Sequence, residues 1–171
     1  MSDAAPARLH LALVGAERHT GLPARSTLRR WVRLALAPEV RGPRLRGAQL
    51  ALAFVDARAG RRFNREFRAR DYATNVLTFA YAGAPQLAAD IVLCVPVVRR
   101  EARAQGKSLR AHLAHLVIHG VLHAQGYDHE RDAPARRMQA LETRLLAQLR
   151  IADPYEPAVN PKTEQGVTRR S

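Results

Sequence analysis

The stretch from His115 to His129 reads His-Leu-Val-Ile-His-Gly-Val-Leu-His-Ala-Gln-Gly-Tyr-Asp-His, and it demands an apolar helix that stops abruptly and turns back. His119 and His123 lie four residues apart, so a helix sends both imidazoles from one face, about 6 Å apart at their bases. Gly126 follows three residues later, where a left-handed residue can end the helix and return the chain so that His129 becomes a third ligand. Three neutral imidazoles suit one zinc ion, with nickel or another divalent metal as the alternative. They leave a fourth tetrahedral position open, the feature that separates catalytic from structural zinc, because water bound there is acidified. Asp128 suits two roles equally, orienting a ligand ring or capping the turn. His112 and His115 fall within about 80° of the two helical ligands on a helical wheel. They read as partly buried or substrate-side groups, since three ligands already satisfy the metal. His10 and His19 carry no signal.

The spacing is also that of the metzincin zinc proteases, HExxHxxGxxH. Gly120 stands where those enzymes place the glutamate base, and Met138 falls in a helical pattern and not in a turn after the site. Peptide hydrolysis therefore lacks its proton acceptor. A cationic side chain near the metal would suit an anionic phosphodiester better than an amide.

The remaining elements follow from periodicity. Leu9 to Val14 alternates weakly, as an edge strand does, and Ser26 can cap a helix with Leu28, Trp31, Val32, Ala35 and Leu36 on one side, ended by Pro38. Gln49 to Val55 reads as a buried strand, and Ala57 to Arg68 has helical spacing through Phe63 and Phe67. Asn75 to Phe79 and Asp90 to Val95 read as two more strands, joined by a loop with Gly83 and Pro85. Helices then occupy Pro96 to Gln105, Ser108 (as N-cap) to about His123, and Ala133 to Leu149. Strands early and helices late predict an α+β fold: a single four-stranded, mixed sheet covered by about five helices, with the three-histidine site at a helix C-terminus. Residues 1–151 form one domain on this reading. From 152 to 171 the composition turns to Pro, Glu, Asn, Lys and Arg, which predicts a disordered tail.

Charge narrows the partners. Lys and Arg number 28 against 15 Asp and Glu, a formal charge of +13, which favours polyanions such as nucleic acid. Only Lys107 and Lys162 are lysines, so an arginine-rich solvated surface accounts equally well for the charge alone. Cys94 is the single cysteine and reads as a small buried hydrophobe in a reducing compartment. No window approaches the ~20 apolar residues of a membrane span, and the expectation is a cytoplasmic protein with no membrane contact.

The histidine stretch, taken with Phe67-Arg68-Ala-Arg-Asp71-Tyr72-Ala-Thr74-Asn75-Val76-Leu77-Thr78-Phe79, resembles the YbeY family. Asp90-Ile91-Val92 resembles a strand of that family, and Ala140-Leu141-Glu142 with Asp153-Pro154-Tyr155 its closing segment. The resemblance spans about Leu9 to Tyr155. It implies a metal-dependent, single-strand-specific endoribonuclease that acts in 3′-end maturation of small-subunit ribosomal RNA and in ribosome quality control. Its partners would be the small ribosomal subunit and ribosome-associated proteins. His119, His123 and His129 would be the ligands, and Arg68 would contact the scissile phosphate. Ala69, Arg70, Thr78, Ala80, Ala89, Ala124 and Gln125 depart from the family's usual residues, with Ala69 standing in place of a glycine. None is a proposed ligand.

Arg65, Arg68, Arg70, Lys107 and Arg110 are the expected basic face, and Tyr72 and Tyr127 the candidates for base stacking. Phosphodiester cleavage could proceed by attack of water or of the RNA 2′-hydroxyl. A non-catalytic ribosome-assembly factor with a structural metal needs only the charge and the fold, and a zinc peptidase needs a base where Gly120 stands.

Overall fold

The computed structural model describes residues 5–37, 44–127 and 132–156. Pro38, Asp128, His129 and residues 157–171 of the expected tail lie outside the described residues. The elements are β1 (Arg8–Val14), a 3₁₀ turn (Ala16–Arg18), α1 (Arg25–Ala35), β2 (Gly47–Val55), α2 (Ala57–Arg68), β3 (Val76–Ala82), β4 (Gln86–Cys94), α3 (Val95–Ala104), α4 (Leu109–Ala124) and α5 (Asp132–Gln148). The strands form one sheet in the order β1-β2-β4-β3. β1, β2 and β4 are mutually parallel and β3 runs antiparallel to β4. This is the expected mixed, four-stranded α+β arrangement, and Leu9 to Val14 lies in an edge strand as read.

Alternation along the strands divides the sheet into two faces. Leu9 and Leu11, Leu50, Leu52 and Phe54, and Ala89, Ile91 and Leu93 point to one side and join Leu28, Trp31, Val32 and the apolar residues of α4 in the main core. Leu77, Val92 and Cys94 are buried but lie outside that cluster. They face α2, whose Gly60 approaches Cys94 so closely that a Cβ there would lie 2.9 Å from the thiol sulfur. Burial pushes the Cys94 thiol pKa up, as expected of a cysteine used as a hydrophobe.

α4 is buried almost all round, as a helix through the middle of a core must be. It packs on α1, α3, α5, β3 and β4. Ser108 caps it as expected, its hydroxyl accepting from Ala111 N–H at 3.0 Å. α1 departs from expectation: Ala24, and not Ser26, is the N-cap and supplies no side-chain bond. Tertiary contacts replace the cap. Leu28, Trp31, Val32 and Ala35 are buried, and the Arg25 and Arg29 guanidinium groups donate to the carbonyls of Leu11 and Leu9 at 2.5 and 3.1 Å.

Gly120 has a packing reason that the sequence pattern did not suggest. A Cβ at this position would lie 2.8 Å from Cγ2 of Ile91. Residue 120 therefore faces the sheet, where a longer side chain has no room, and no base could be housed there without moving α4 off β4. Gly120→Ala should destabilise the protein by about 1–3 kcal/mol through overpacking, despite alanine's better helix propensity. A denaturant midpoint equal to that of the unsubstituted protein would show the contact to be relieved at no cost.

Candidate metal centre

Four histidines, His112, His115, His119 and His123, form a row along α4, with successive ring centroids 6.3, 6.3 and 6.4 Å apart. The His119 and His123 rings are nearly parallel, at 16°. The helix ends beside them as the sequence implies. Gly126 adopts φ 97°, the Gly126 N–H donates to the His123 carbonyl at 3.0 Å, and the Tyr127 N–H donates to the Leu122 carbonyl at 3.2 Å. This is the paired-bond Schellman termination that glycine makes inexpensive. The same turn orients a ring: His123 Nδ1 lies 3.0 Å from the Tyr127 carbonyl. A carbonyl can only accept, so Nδ1 carries the proton and Nε2 carries the lone pair.

His119 is fixed by a carboxylate. Glu142 of α5 is fully buried, and its Oε1 lies 2.5 Å from His119 Nδ1. Its Oε2 is 3.3 Å from His115 Nε2 and also accepts from the Tyr155 hydroxyl. Burial alone would push the Glu142 carboxyl up. Hydrogen bonds from His115 and His119 outweigh it, helped by the electrostatic pull of the His119 ring and by Tyr155, and hold the pKa at about 2. The Tyr155 hydroxyl moves the opposite way, raised by burial and by its bond to Glu142. An ionised acceptor at His119 Nδ1 again fixes Nε2 as the ring's lone-pair atom.

His115, His119 and Glu142 bring three potential ligand atoms within 4.8 Å of one another, a grouping that could hold a metal ion. The hydrogen bonding favours another use of it. Glu142 Oε1 and His119 Nδ1 are joined to each other, which is how a carboxylate behind a metal-ligating histidine sets its tautomer and raises its basicity. The donor set of α4 therefore fits a divalent ion through the Nε2 atoms of His119 and His123, with Glu142 and the Tyr127 carbonyl behind them. His129, the expected third ligand, lies outside the described residues.

His112 is set apart from this arrangement. It is buried, and its Nε2 lies 2.7 Å from Glu101 Oε2, which in turn accepts from Asn75 Nδ2 at 3.0 Å. Burial lowers its pKa against the opposing pull of Glu101. This matches the reading of His112 as a buried histidine and ties Asn75, ahead of β3, to the helix that carries the candidate ligands His119 and His123.

Arg68 is exposed in the last turn of α2. Among the described residues its guanidinium makes no hydrogen bond or ion pair. Its neighbour Phe67 meets Phe79 of β3 with ring centroids 4.9 Å apart, and α4 packs on β3 as well, so Arg68 and the histidines stand on elements that flank one edge strand. The other expected cations are dispersed. Arg65 lies 4.0 Å from Asp71, which Arg61 holds bidentately at 2.7 and 2.8 Å, and Arg70 donates to the Tyr72 hydroxyl at 3.1 Å. Arg110 stacks over Trp31, and Lys107 donates to the Pro154 carbonyl at 3.4 Å. Both belong to the N-terminal end of α4, and Arg110 is thirteen residues, or about 20 Å of helix axis, from His123. Tyr127 packs against the core and Tyr72 is exposed.

Ala69, one of the departures noted above, ends α2 with φ 53°, a left-handed conformation that glycine adopts without penalty. Ala69→Gly should raise stability by about 0.5–1 kcal/mol, read as a higher urea midpoint. A lower midpoint would mean that the unfolded chain's added freedom dominates.

Sequence reading missed Glu142 and Tyr155 as parts of the centre. Glu142 did leave a trace: it interrupts a helical stripe of Met138, Leu141, Leu145 and Leu146, all buried, and a lone acid on such a stripe requires a buried partner.

Comparison with known proteins shows the family to which the chain belongs. A family model described as endoribonuclease YbeY matches residues 17–150. An endoribonuclease YbeY of Cupriavidus metallidurans is 51% identical over 145 residues, covering 84% of this chain and 70% of the relative. One from Bordetella pertussis is 58% identical over 132 residues (75% and 84%), and one from Aromatoleum aromaticum is 48% identical over 157 residues (90% and 97%). A Thermotoga maritima protein solved in solution has the same fold, with a TM-score of 0.54 and 21% identity over 86% of this chain and 99% of that one. A family match along most of the chain, with relatives about half identical over the same span, means that this protein belongs to the YbeY endoribonuclease family.

Proposed function

We propose that this chain is a metal-dependent endoribonuclease that cuts single-stranded RNA, acting in 3′-end maturation of small-subunit ribosomal RNA and in ribosome quality control. On this reading His119, His123 and His129 hold one Zn²⁺, or Ni²⁺ in its place, and Arg68 binds the scissile phosphate. Residues 1–151 form the working unit, in the cytoplasm and in association with the small ribosomal subunit. No helix among the described residues is long and apolar enough to cross a membrane.

One observation carries the reading. Two histidines on one face of α4 each have Nδ1 engaged from behind, by a buried carboxylate and by a backbone carbonyl, an arrangement suited to binding a metal through Nε2. When bound, the ion supplies Lewis acidity to a phosphoryl oxygen and to water. The chain's own groups do the rest: Glu142 and the Tyr127 carbonyl hold the ligand tautomers, and Arg68 offers a planar fork that matches phosphate oxygens.

The test uses metal-loaded protein with precursor ribosomal RNA, free and in ribosomes, and with a short single-stranded RNA. Cleavage should vanish with chelator, return on adding Zn²⁺, and be absent in His123→Ala. A 2′,3′-cyclic phosphate on the product would establish attack by the 2′-hydroxyl, whereas a 3′-hydroxyl with a 5′-phosphate would establish attack by water. RNA binding without cleavage by the metal-loaded protein would favour an assembly factor. Cleavage that survives both chelator and His123→Ala would sink the proposal.

A further inference from the structure

Of the four phenylalanines, Phe54 alone belongs to the main core. Phe63 and Phe79 are half-buried and Phe67 is 61% exposed. A single bared aromatic ring needs no explanation, but these three touch. Phe63 and Phe67, four residues apart on α2, stack with centroids 6.2 Å apart, and Phe79 of β3 meets Phe67 edge-on at 4.9 Å and 67°. The two inner rings hold the outer one in place, with most of its surface turned to water.

The surroundings of this surface are cationic. From Ala57 to Tyr72 the chain carries Arg58, Arg61, Arg62, Arg65, Arg68 and Arg70 against Glu66 and Asp71. Asp71 takes up Arg61 and lies near Arg65, while Arg62 and Arg68 pair with no described residue. The centre of a protein-docking patch is depleted of charge, whereas an aromatic face bordered by guanidinium groups is what single-stranded nucleic acid requires, π-surface for bases and cations for phosphates.

We infer that Phe67 is a stacking platform for a nucleobase of single-stranded RNA, buttressed by Phe63 and Phe79, with Arg68 on the adjoining phosphate. The inference rests on the RNA-cleaving reading above and deepens it by naming where the base beside the bound phosphate goes. Tyr72 and Tyr127, the aromatic residues that the sequence favoured, are not needed for it.

The experiment measures binding of a short single-stranded RNA carrying 2-aminopurine, whose fluorescence is quenched on stacking, to metal-loaded wild type, Phe67→Leu, Phe67→Trp and Arg68→Ala at several salt concentrations. Phe67→Leu keeps an apolar side chain but removes the π-face. It should weaken binding roughly tenfold or more and lose the quench, with the salt slope unchanged; Phe67→Trp should keep both. Arg68→Ala should lower the salt slope by about one. Thermal unfolding of Phe67→Leu should match wild type, because the ring is largely exposed. Wild-type affinity and quench in Phe67→Leu, alongside RNA cleavage by the wild type, would overturn the platform alone. Equal losses in the leucine and tryptophan variants would also overturn it, since shape and not stacking would then decide. A wild type that neither binds nor cuts RNA would remove the nuclease reading and the platform together.

Discussion

Glu142→Ala should cost roughly 3 kcal/mol of folding stability and weaken metal binding by about 10- to 100-fold. Both effects have one origin. The carboxylate takes hydrogen bonds from His115, His119 and Tyr155, so its removal orphans three polar groups, most of them shielded from water. It also releases the His119 ring from the tautomer that keeps the Nε2 lone pair. Glu142→Gln should fall between the two, because an amide oxygen can accept from His119 while the amide nitrogen cannot accept from Tyr155. Urea unfolding of chelator-stripped protein gives the first quantity, and competition against a chromophoric chelator gives the second. Unchanged metal affinity in Glu142→Ala would show that the buried carboxylate serves packing alone, and that the grouping with His115 has no part in metal binding.

Arg68→Ala should lower kcat for RNA cleavage by on the order of a hundredfold or more, the usual consequence of deleting a donor to transition-state charge, with the fold untouched because the side chain is exposed and pairs with none of the described residues. Arg68→Lys should restore only part of the rate, since an ammonium group lacks the planar fork that engages two phosphate oxygens. Single-turnover cleavage with saturating metal separates this from an effect on substrate binding. If the change falls on KM while kcat holds, Arg68 is a general phosphate anchor and the transition state is stabilised elsewhere.

Much of this architecture was legible in the sequence for local reasons. α2 was read with its observed ends from the spacing through Phe63 and Phe67, and the structure adds Asp56 as its cap, accepting from Ala59 N–H at 2.8 Å; the start of α4 was read from Ser108, which caps it in the same way. The termination at Gly126 was readable since few residues other than glycine adopt its φ. β4 begins at Gln86, four residues before the expected Asp90, because Gln-Leu-Ala-Ala lacks the β-branched residues that announce a strand and becomes one only by pairing with β2. The N-terminus of α1 was misplaced for a related reason: long-range bonds from Arg25 and Arg29 secure what a side-chain cap secures elsewhere. Glu142 lies nineteen residues beyond His123, and no spacing rule links the two. Only the packing of α5 on α4 makes them neighbours. The protease-like spacing is silent about Gly120, whose role is set by Ile91 across a helix–sheet contact.

Arg25 and Arg29 do more than anchor α1. The carbonyls that they occupy lie on the outer margin of β1, where an unguarded strand offers a template on which another extended chain can assemble. The opposite margin, β3, has its regular pairing broken between Ala80 and Ala82, a second irregularity that discourages docking of a foreign strand. Two arginines that look like surplus positive charge thus also act as gatekeepers, keeping an open sheet from growing from molecule to molecule.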